Sequence, residues 1–297
     1  MQKDTDRESL VNKDASYHTI CAWSSHNLVF EKYDYAPGRA EAIPRHFHEE
    51  YQICLSLNFA GEYEYRRTRW HIPAGSISII HPAEVHSARD IAYRNVTAKF
   101  IVIYIPPGLV QEIIEQASQK NTSLPFFKNP VILDKRIIAL CRRFYESIGH
   151  ETESIEAELC LSELITSLTL RYADTKIRIK LYQNESDRIK LVREYIHDNY
   201  TKNIPLVELA SIVNLSPFHL HRLFTKELGF SPHKYLMNVR LMYAKRLLLQ
   251  NTPAIQTAAE TGFADQSHLI RIFKRYMQVS PSRYIVQNSK NVQAFSV

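Results

Sequence analysis

The sequence predicts an α+β chain of two domains: a strand-built sandwich or barrel with helices appended, then an all-helical domain. Three observations predict it. Residues from about 28 to 106 form short β-branched and aromatic runs broken by turn residues, and apolar periods of three to four begin at about 107. From 187 the periods stay helical, and one pattern is written twice, HLHRLFTKELGFSPHKYL at 219–236 and HLIRIFKRYMQVSPSRYI at 268–285. With 297 residues, 45% hydrophobic and 23% charged, the composition is that of a globular protein large enough for two cores.

Several classes are excluded. The N-terminus, MQKDTDRESLVNKDASYH, is polar and mixed in charge, unlike a secretory signal. The most apolar run, FIVIYI at 100–105, is far shorter than a membrane span and stops at Pro106-Pro107, so no membrane partner is expected. Cys21, Cys54, Cys141 and Cys160 are scattered without metal-ligand or redox spacing, which fits a reducing compartment and a cytoplasmic location. Charge is unevenly placed: residues 187–297 hold 15 Lys+Arg against 7 Asp+Glu, a net +8, which leaves −2 of the total +6 to residues 1–186. An anionic partner for the C-terminal part alone follows.

In order along the chain, YQICLSLNF, GEYEYRR, SISIIH and TAKFIVIYI read as strands, with turns at Pro44, Gly61, Pro73-Ala74-Gly75 and Pro82. Helices are expected at 107–119, 135–149 and 154–173. The third has an acidic first turn (Glu151, Glu153, Glu156) and two apolar stripes, Ala157, Leu161, Leu164, Leu168 and Tyr172 on one and Ile155, Leu159 and Ile165 on the other. One stripe serves the strand domain; the second suits a homodimer contact through residues about 154–173. The polar connection DTKIRIKLYQNES at 174–186 sets the boundary, giving an N-terminal domain at 1–176, a linker at 177–186 and a C-terminal domain at 187–297, with no strand expected in the last.

The duplicated segment is a pair of helix-turn-helix units. In the first, PLVELASIV is a short helix with Leu206, Leu209, Ala210 and Val213 inward, Asn214-Leu215-Ser216 is the turn, and a helix from Pro217 to about Leu228 ends at Gly229. In the second, Ile255, Ala258 and Ala259 belong to the first helix, Gly262-Phe263-Ala264 is the turn, and Asp265 caps a helix to about Tyr276. A shift of 49 aligns the copies, Ala210 with Ala259, and KYLMNVRLMYAKRLLLQN is one helix joining them. Leu220, Leu223 and Phe224, like Leu269, Ile272 and Phe273, face inward. Phe218, His221, Arg222 and Thr225 face outward in one copy, and Gln266, Ser267, Ile270, Arg271 and Lys274 in the other, a set able to read base edges in a major groove. Lys226, Lys274 and Arg275 are placed for phosphates. His219 and His268 have local structural roles, and Tyr235 and Tyr284 are packing residues.

Residues 187–286, ending GFADQSHLIRIFKRYMQVSPSRY, resemble the DNA-binding domain of the AraC/XylS family of bacterial transcriptional regulators. The resemblance implies two recognition helices in successive major grooves of a double-stranded operator. It places base contacts on Phe218, His221 and Arg222, and on Gln266, Ser267, Ile270 and Arg271. RNA polymerase is implied as a partner if the protein activates.

In the N-terminal part, PRHFHEEYQI at 44–53 and IPAGSISIIHPAEVH at 72–86 bring His46 and His48, at i and i+2 on a strand, toward His86. The pair resembles the two cupin motifs and the small-molecule-binding cupin-like domains of AraC-type regulators. Gln52 stands where metal-binding cupins place a glutamate, so no metal, no cofactor and no catalytic residue is expected. An effector site is expected from His46, His48, Tyr51, His86 and Lys99, with Trp70 and Arg39 secondary; an inward Lys99 would favour an anionic or carbonyl-bearing ligand. The reading is a non-enzymatic, effector-controlled regulator. Its competitors are a metal-dependent cupin enzyme using the three histidines, and a constitutive DNA binder whose barrel only dimerises.

Overall fold

Alternation in β-branched and aromatic runs buries one side of each strand, and the runs assemble into two sheets. The computed structural model describes residues 18–25, 27–120, 122–148, 155–174 and 186–286. Strands β1 (Thr19–Ser25), β2 (Leu28–Tyr35), β4 (Tyr51–Ser56), β7 (Ile77–Ile80), β9 (Ala98–Ile105), β10 (Val131–Ile132) and β11 (Tyr284–Val286) form one sheet, ordered β10-β7-β4-β9-β2-β1-β11. The second is β3-β8-β5-β6, from β3 (Ile43–His46), β8 (His86–Asp90), β5 (Gly61–Tyr65) and β6 (Thr68–Ile72). Side chains of both sheets line one cavity, so the sheets face each other as in a cupin-like jelly roll.

The far face of the larger sheet is covered by α1 (Pro107–Ser118), α2 (Lys135–Ser147) and α3 (Ile155–Tyr172). Leu161, Leu164 and Leu168 of α3 are buried there, while Ile155, Leu159 and Leu170 are exposed. Ile165, expected on the outer stripe, is buried with the inner one. Glu151 and Glu153, and linker residues 177–185, lie outside the described residues.

The C-terminal domain comprises α4 (Asp187–Asn199), α5 (Leu206–Ile212), α6 (Pro217–Leu228), α7 (Pro232–Leu249), α8 (Ala254–Glu260), α9 (Gln266–Met277) and a 3-10 turn at Pro281–Arg283. The two units are not superposed by one shift. α5 and α8 are offset by 48 residues, α6 and α9 by 49, so Ala210 corresponds to buried Ala258, and Ala259 is exposed. The turns repeat one bond, Leu215 N–H to Ala210 O and Phe263 N–H to Ala258 O, each 3.0 Å. Asn214 (φ 52°) and Gly262 (φ 76°) hold the left-handed turn position in the two copies. A Cβ on Gly262 would lie 2.5 Å from the Thr201 carbonyl oxygen, so only glycine fits the second turn.

The expectation of no C-terminal strand fails: Tyr284–Val286 pairs in parallel with Ile20–Ala22 of the N-terminal sheet. Three residues carry too little periodicity to read as a strand, and the partner that makes them one lies at the other end of the chain. Cores are shared as well. One apolar cluster runs from Tyr33, Tyr35 and Phe100 between the sheets to Leu220, Phe224, Leu269 and Phe273 in the helical units.

Candidate functional site

Each outward helix is fixed by its caps. The Ser216 hydroxyl accepts from His219 N–H at 3.2 Å at the start of α6, and Asp265 Oδ1 accepts from His268 N–H at 2.7 Å at the start of α9. Gly229 and Gln278 end them in left-handed conformation. Leu220, Phe224, Leu269 and Phe273 are wholly buried, which turns the opposite faces to solvent. Phe218, His221, Arg222, Thr225 and Lys226 are exposed on α6; Gln266, Ser267, Arg271, Lys274 and Arg275 are exposed on α9, with Ile270 half-buried. Phe218, at 77% exposure, is a large apolar side chain left bare by folding. Among the described residues the two helices present exposed, mainly cationic faces.

The second site is a cavity of about 120 Å³ between the sheets. It is lined by Tyr33, Tyr35, Phe59, Phe100, Val102 and Tyr104, and at its polar end by His46, His48, Gln52 and His86. Asn238, Leu241, Met242 and Lys245 of α7 and Tyr276 and Met277 of α9 close it, so part of the wall belongs to the C-terminal domain.

His46 and His86 are paired across β3 and β8, with ring centroids 4.2 Å apart, and His48 lies 5.0 Å from His86. His48 is not on the strand, which ends at His46, but in the loop that follows. The three Nδ1 atoms sit 2.9, 2.7 and 3.1 Å from the carbonyl oxygens of Pro44, Glu50 and Glu84. A carbonyl only accepts, so each Nδ1 carries the proton and each Nε2 presents a lone pair. Burial holds the rings neutral, taking His46 down to about 4, His48 to about 3 and His86 well below the ordinary histidine value. Nε2 of His48 and of His86 is buried without a hydrogen-bond partner. Among the described residues no group of three or more His, Cys, Asp or Glu side chains is placed to hold a metal ion.

Two expected residues are not at the cavity. Tyr51 points through the larger sheet to the opposite core, where its hydroxyl donates to Pro125 O at 2.9 Å; its neighbours Gln52 and Cys54 face the cavity instead. Lys99 is exposed, because Ala98, Phe100 and Val102 hold the inward parity of β9, and the case for an anionic ligand that rested on it falls. Trp70 and Arg39 do not line the cavity either.

What sequence reasoning missed is the junction. Glu31 on β2 is wholly buried and accepts from the hydroxyls of Tyr33 (2.5 Å), Tyr104 (3.1 Å) and Tyr284 (2.8 Å), and Lys245 Nζ lies 2.7 Å away. Burial raises the Glu31 carboxyl, but Lys245 and the tyrosine hydroxyls outweigh it and hold the group below its ordinary value. Two of these four partners come from the C-terminal domain. Asn238 Nδ2 donates to Phe47 O at 2.9 Å, and Tyr235 stacks on Phe47 with centroids 4.9 Å apart. Both tyrosines of the repeated Ser-Pro-x-x-Tyr are therefore interdomain contacts. The only available signal was the alternation Glu31, Tyr33, Tyr35, which puts a carboxylate on an aromatic strand face.

Residues 34–169 match the family described as AraC-like ligand binding domain, and residues 209–287 match a helix-turn-helix domain family. The HTH-type transcriptional regulator YbfI of Bacillus subtilis is 27% identical over 243 residues, covering 82% of this chain and 86% of its own. The transcriptional activator RhaS of Klebsiella pneumoniae is 24% identical over 246 residues, covering 81% and 86%. Among solved structures, an apo variant of ToxT from Vibrio cholerae aligns with a TM-score of 0.63 at 15% identity, covering 88% of this chain and 97% of that one. ToxT bound to an unsaturated fatty acid aligns at 0.59 and 14%, covering 89% and 99%. At these identities the likeness shows the fold.

Proposed function

This chain belongs to the AraC family of bacterial transcriptional regulators, and from that premise we propose that a small molecule in the N-terminal cavity controls how the helix-turn-helix units meet an operator. The observation that carries the proposal is the shared wall. A ligand filling the cavity touches Asn238, Met242 and Lys245 on α7 and Tyr276 on α9, so it has a different affinity for docked and undocked arrangements of the C-terminal domain. That difference is the condition for a ligand to shift a conformational equilibrium.

On DNA, α6 and α9 enter successive major grooves about 34 Å apart. Phe218, His221, Arg222 and Thr225, and Gln266, Ser267, Ile270 and Arg271, meet base edges, while Lys226, Lys274 and Arg275 meet phosphates. The domain break falls at 177–186, and the protein works in the cytoplasm as a homodimer through α3. RNA polymerase is a further partner if it activates. No enzymatic activity is proposed: the relatives are transcriptional regulators, and Gln52 stands where metal-binding cupins place a carboxylate.

The test is operator binding by fluorescence anisotropy, using DNA selected from a random pool with the full-length protein. Arg271→Ala is expected to weaken the selected site by about 1–3 kcal/mol and relax preference at one position. Lys274→Ala should weaken selected and random DNA alike and reduce the salt slope by about one. Equal binding of selected and random DNA by the unsubstituted protein would sink the proposal.

A further inference from the structure

The polar inventory of the cavity limits what can occupy it. Among the described residues the cations on its wall are Lys245 and Arg89, and each already has a carboxylate: Lys245 pairs with buried Glu31 at 2.7 Å and Arg89 with Glu62 at 2.5 Å. Asp90, also on the wall, pairs with Arg94 and accepts from Ala40 N–H at 2.8 Å. No positive charge is left over for an anion, and a carboxylate or phosphate could gain Lys245 only by stripping it from Glu31, leaving that carboxylate buried with tyrosine donors alone.

At the other end the demand has the opposite sign. With Nδ1 of His46, His48 and His86 committed to backbone carbonyls, the imidazoles offer acceptors, and two of the three Nε2 atoms are buried without a partner on side chains 6% and 1% exposed. Lone pairs repel an oxyanion and accept from O–H or N–H. An unmet buried acceptor is costly, so a donor arriving there gains more than it would at a solvated surface. The rest of the wall is aromatic and aliphatic, with Tyr33 and Phe100 stacked at 4.4 Å and Phe59 beside them.

We propose that the effector is an uncharged molecule with an apolar body that presents hydroxyl or N–H donors to His46, His48 and His86, and is not a carboxylate or phosphate. The proposal rests on the reading of this cavity as the effector site. It sets the proposed ligand apart from the unsaturated fatty acid of which ToxT, a protein of similar fold, has a bound structure. A cavity of about 120 Å³ approaches the ~150 Å³ that admits a benzene-sized molecule, which sets the size of suitable probes.

The experiment is calorimetry and ligand-observed NMR on the full-length protein with 2-phenylethanol, phenylacetate and ethylbenzene, which share a ring and differ in the terminal group. The alcohol is expected to bind at least about tenfold more tightly than either of the others, and His86→Phe should remove that preference. Because His86→Phe can fail to fold, the three-probe comparison on the unsubstituted protein stands by itself. Preference for phenylacetate, equal binding of ethylbenzene, binding of none of the three, or a stoichiometric metal on the histidines overturns the proposal. DNA affinity is measured with the alcohol bound. Tight alcohol binding without a change there leaves the ligand class standing and removes the regulatory reading; phenylacetate preference with a change does the reverse.

Discussion

The three cavity histidines make the protein sensitive to acid in a way that their positions determine. His48, 6% exposed and held down to about 3, binds a proton in the unfolded chain near pH 6.5 but not in the folded one. Unfolding thus takes up protons below ~6.5, so the histidine contribution to stability is complete above that pH and is lost as pH falls toward the folded values. Neighbouring His46 and Lys245 deepen the effect, since both disfavour charge on His48. Between pH 7 and pH 5 the urea unfolding free energy should fall by about 2 kcal/mol for His48 alone, and His48→Leu should flatten the profile by that amount. A flat profile in the unsubstituted protein would contradict the neutral, buried assignment. At this scale the motif residues His46, His48 and His86 were legible from the sequence, whereas Tyr51 and Lys99 were not, because one step of strand parity decides which face a side chain takes.

Elements carry two separate tasks, and the sequence separated them unevenly. The helix-turn-helix pairs were readable because caps, turn residues and inward leucines recur; the one-residue slip between copies was not, since Asn214 and Gly262 reach the same left-handed conformation by different chemistry. The other task is the one proposed for the outer face of α3. Ile155 (75% exposed), Leu159 (64%) and Leu170 (81%) stand clear on one helix, while Ile165 turned out to serve the sheet. If this stripe is the dimer contact, Leu159→Glu should convert the protein from dimer to monomer by sedimentation velocity at micromolar concentration, with unchanged melting of the monomer. A parent protein already monomeric there, or a variant still dimeric, rules the contact out.

At the scale of the whole molecule, the two domains are joined by more than the connection expected at 177–186. Strand β11 extends the N-terminal sheet, Glu31 gathers donors from both domains, and Arg246 lies within 3.5 Å of Glu50 and 3.8 Å of Glu49. Beyond the alternation Glu31, Tyr33, Tyr35 none of this was legible, because the Tyr284–Glu31 hydrogen bond spans 253 residues and no local pattern encodes its partner. The sequence pointed to two domains with two tasks; the fold makes the effector cavity and the DNA-binding domain share residues. The proposed function predicts that docking through the buried Glu31 network governs presentation of α6 and α9. The direct measurement is the operator dissociation constant of full-length Lys245→Met and Tyr284→Phe beside the unsubstituted protein, with circular dichroism to establish folding. Removing either donor should change DNA affinity at least about fivefold, the lower end of ordinary coupling energies, although neither residue is on a reading face. Folded variants with unchanged affinity would contradict the account.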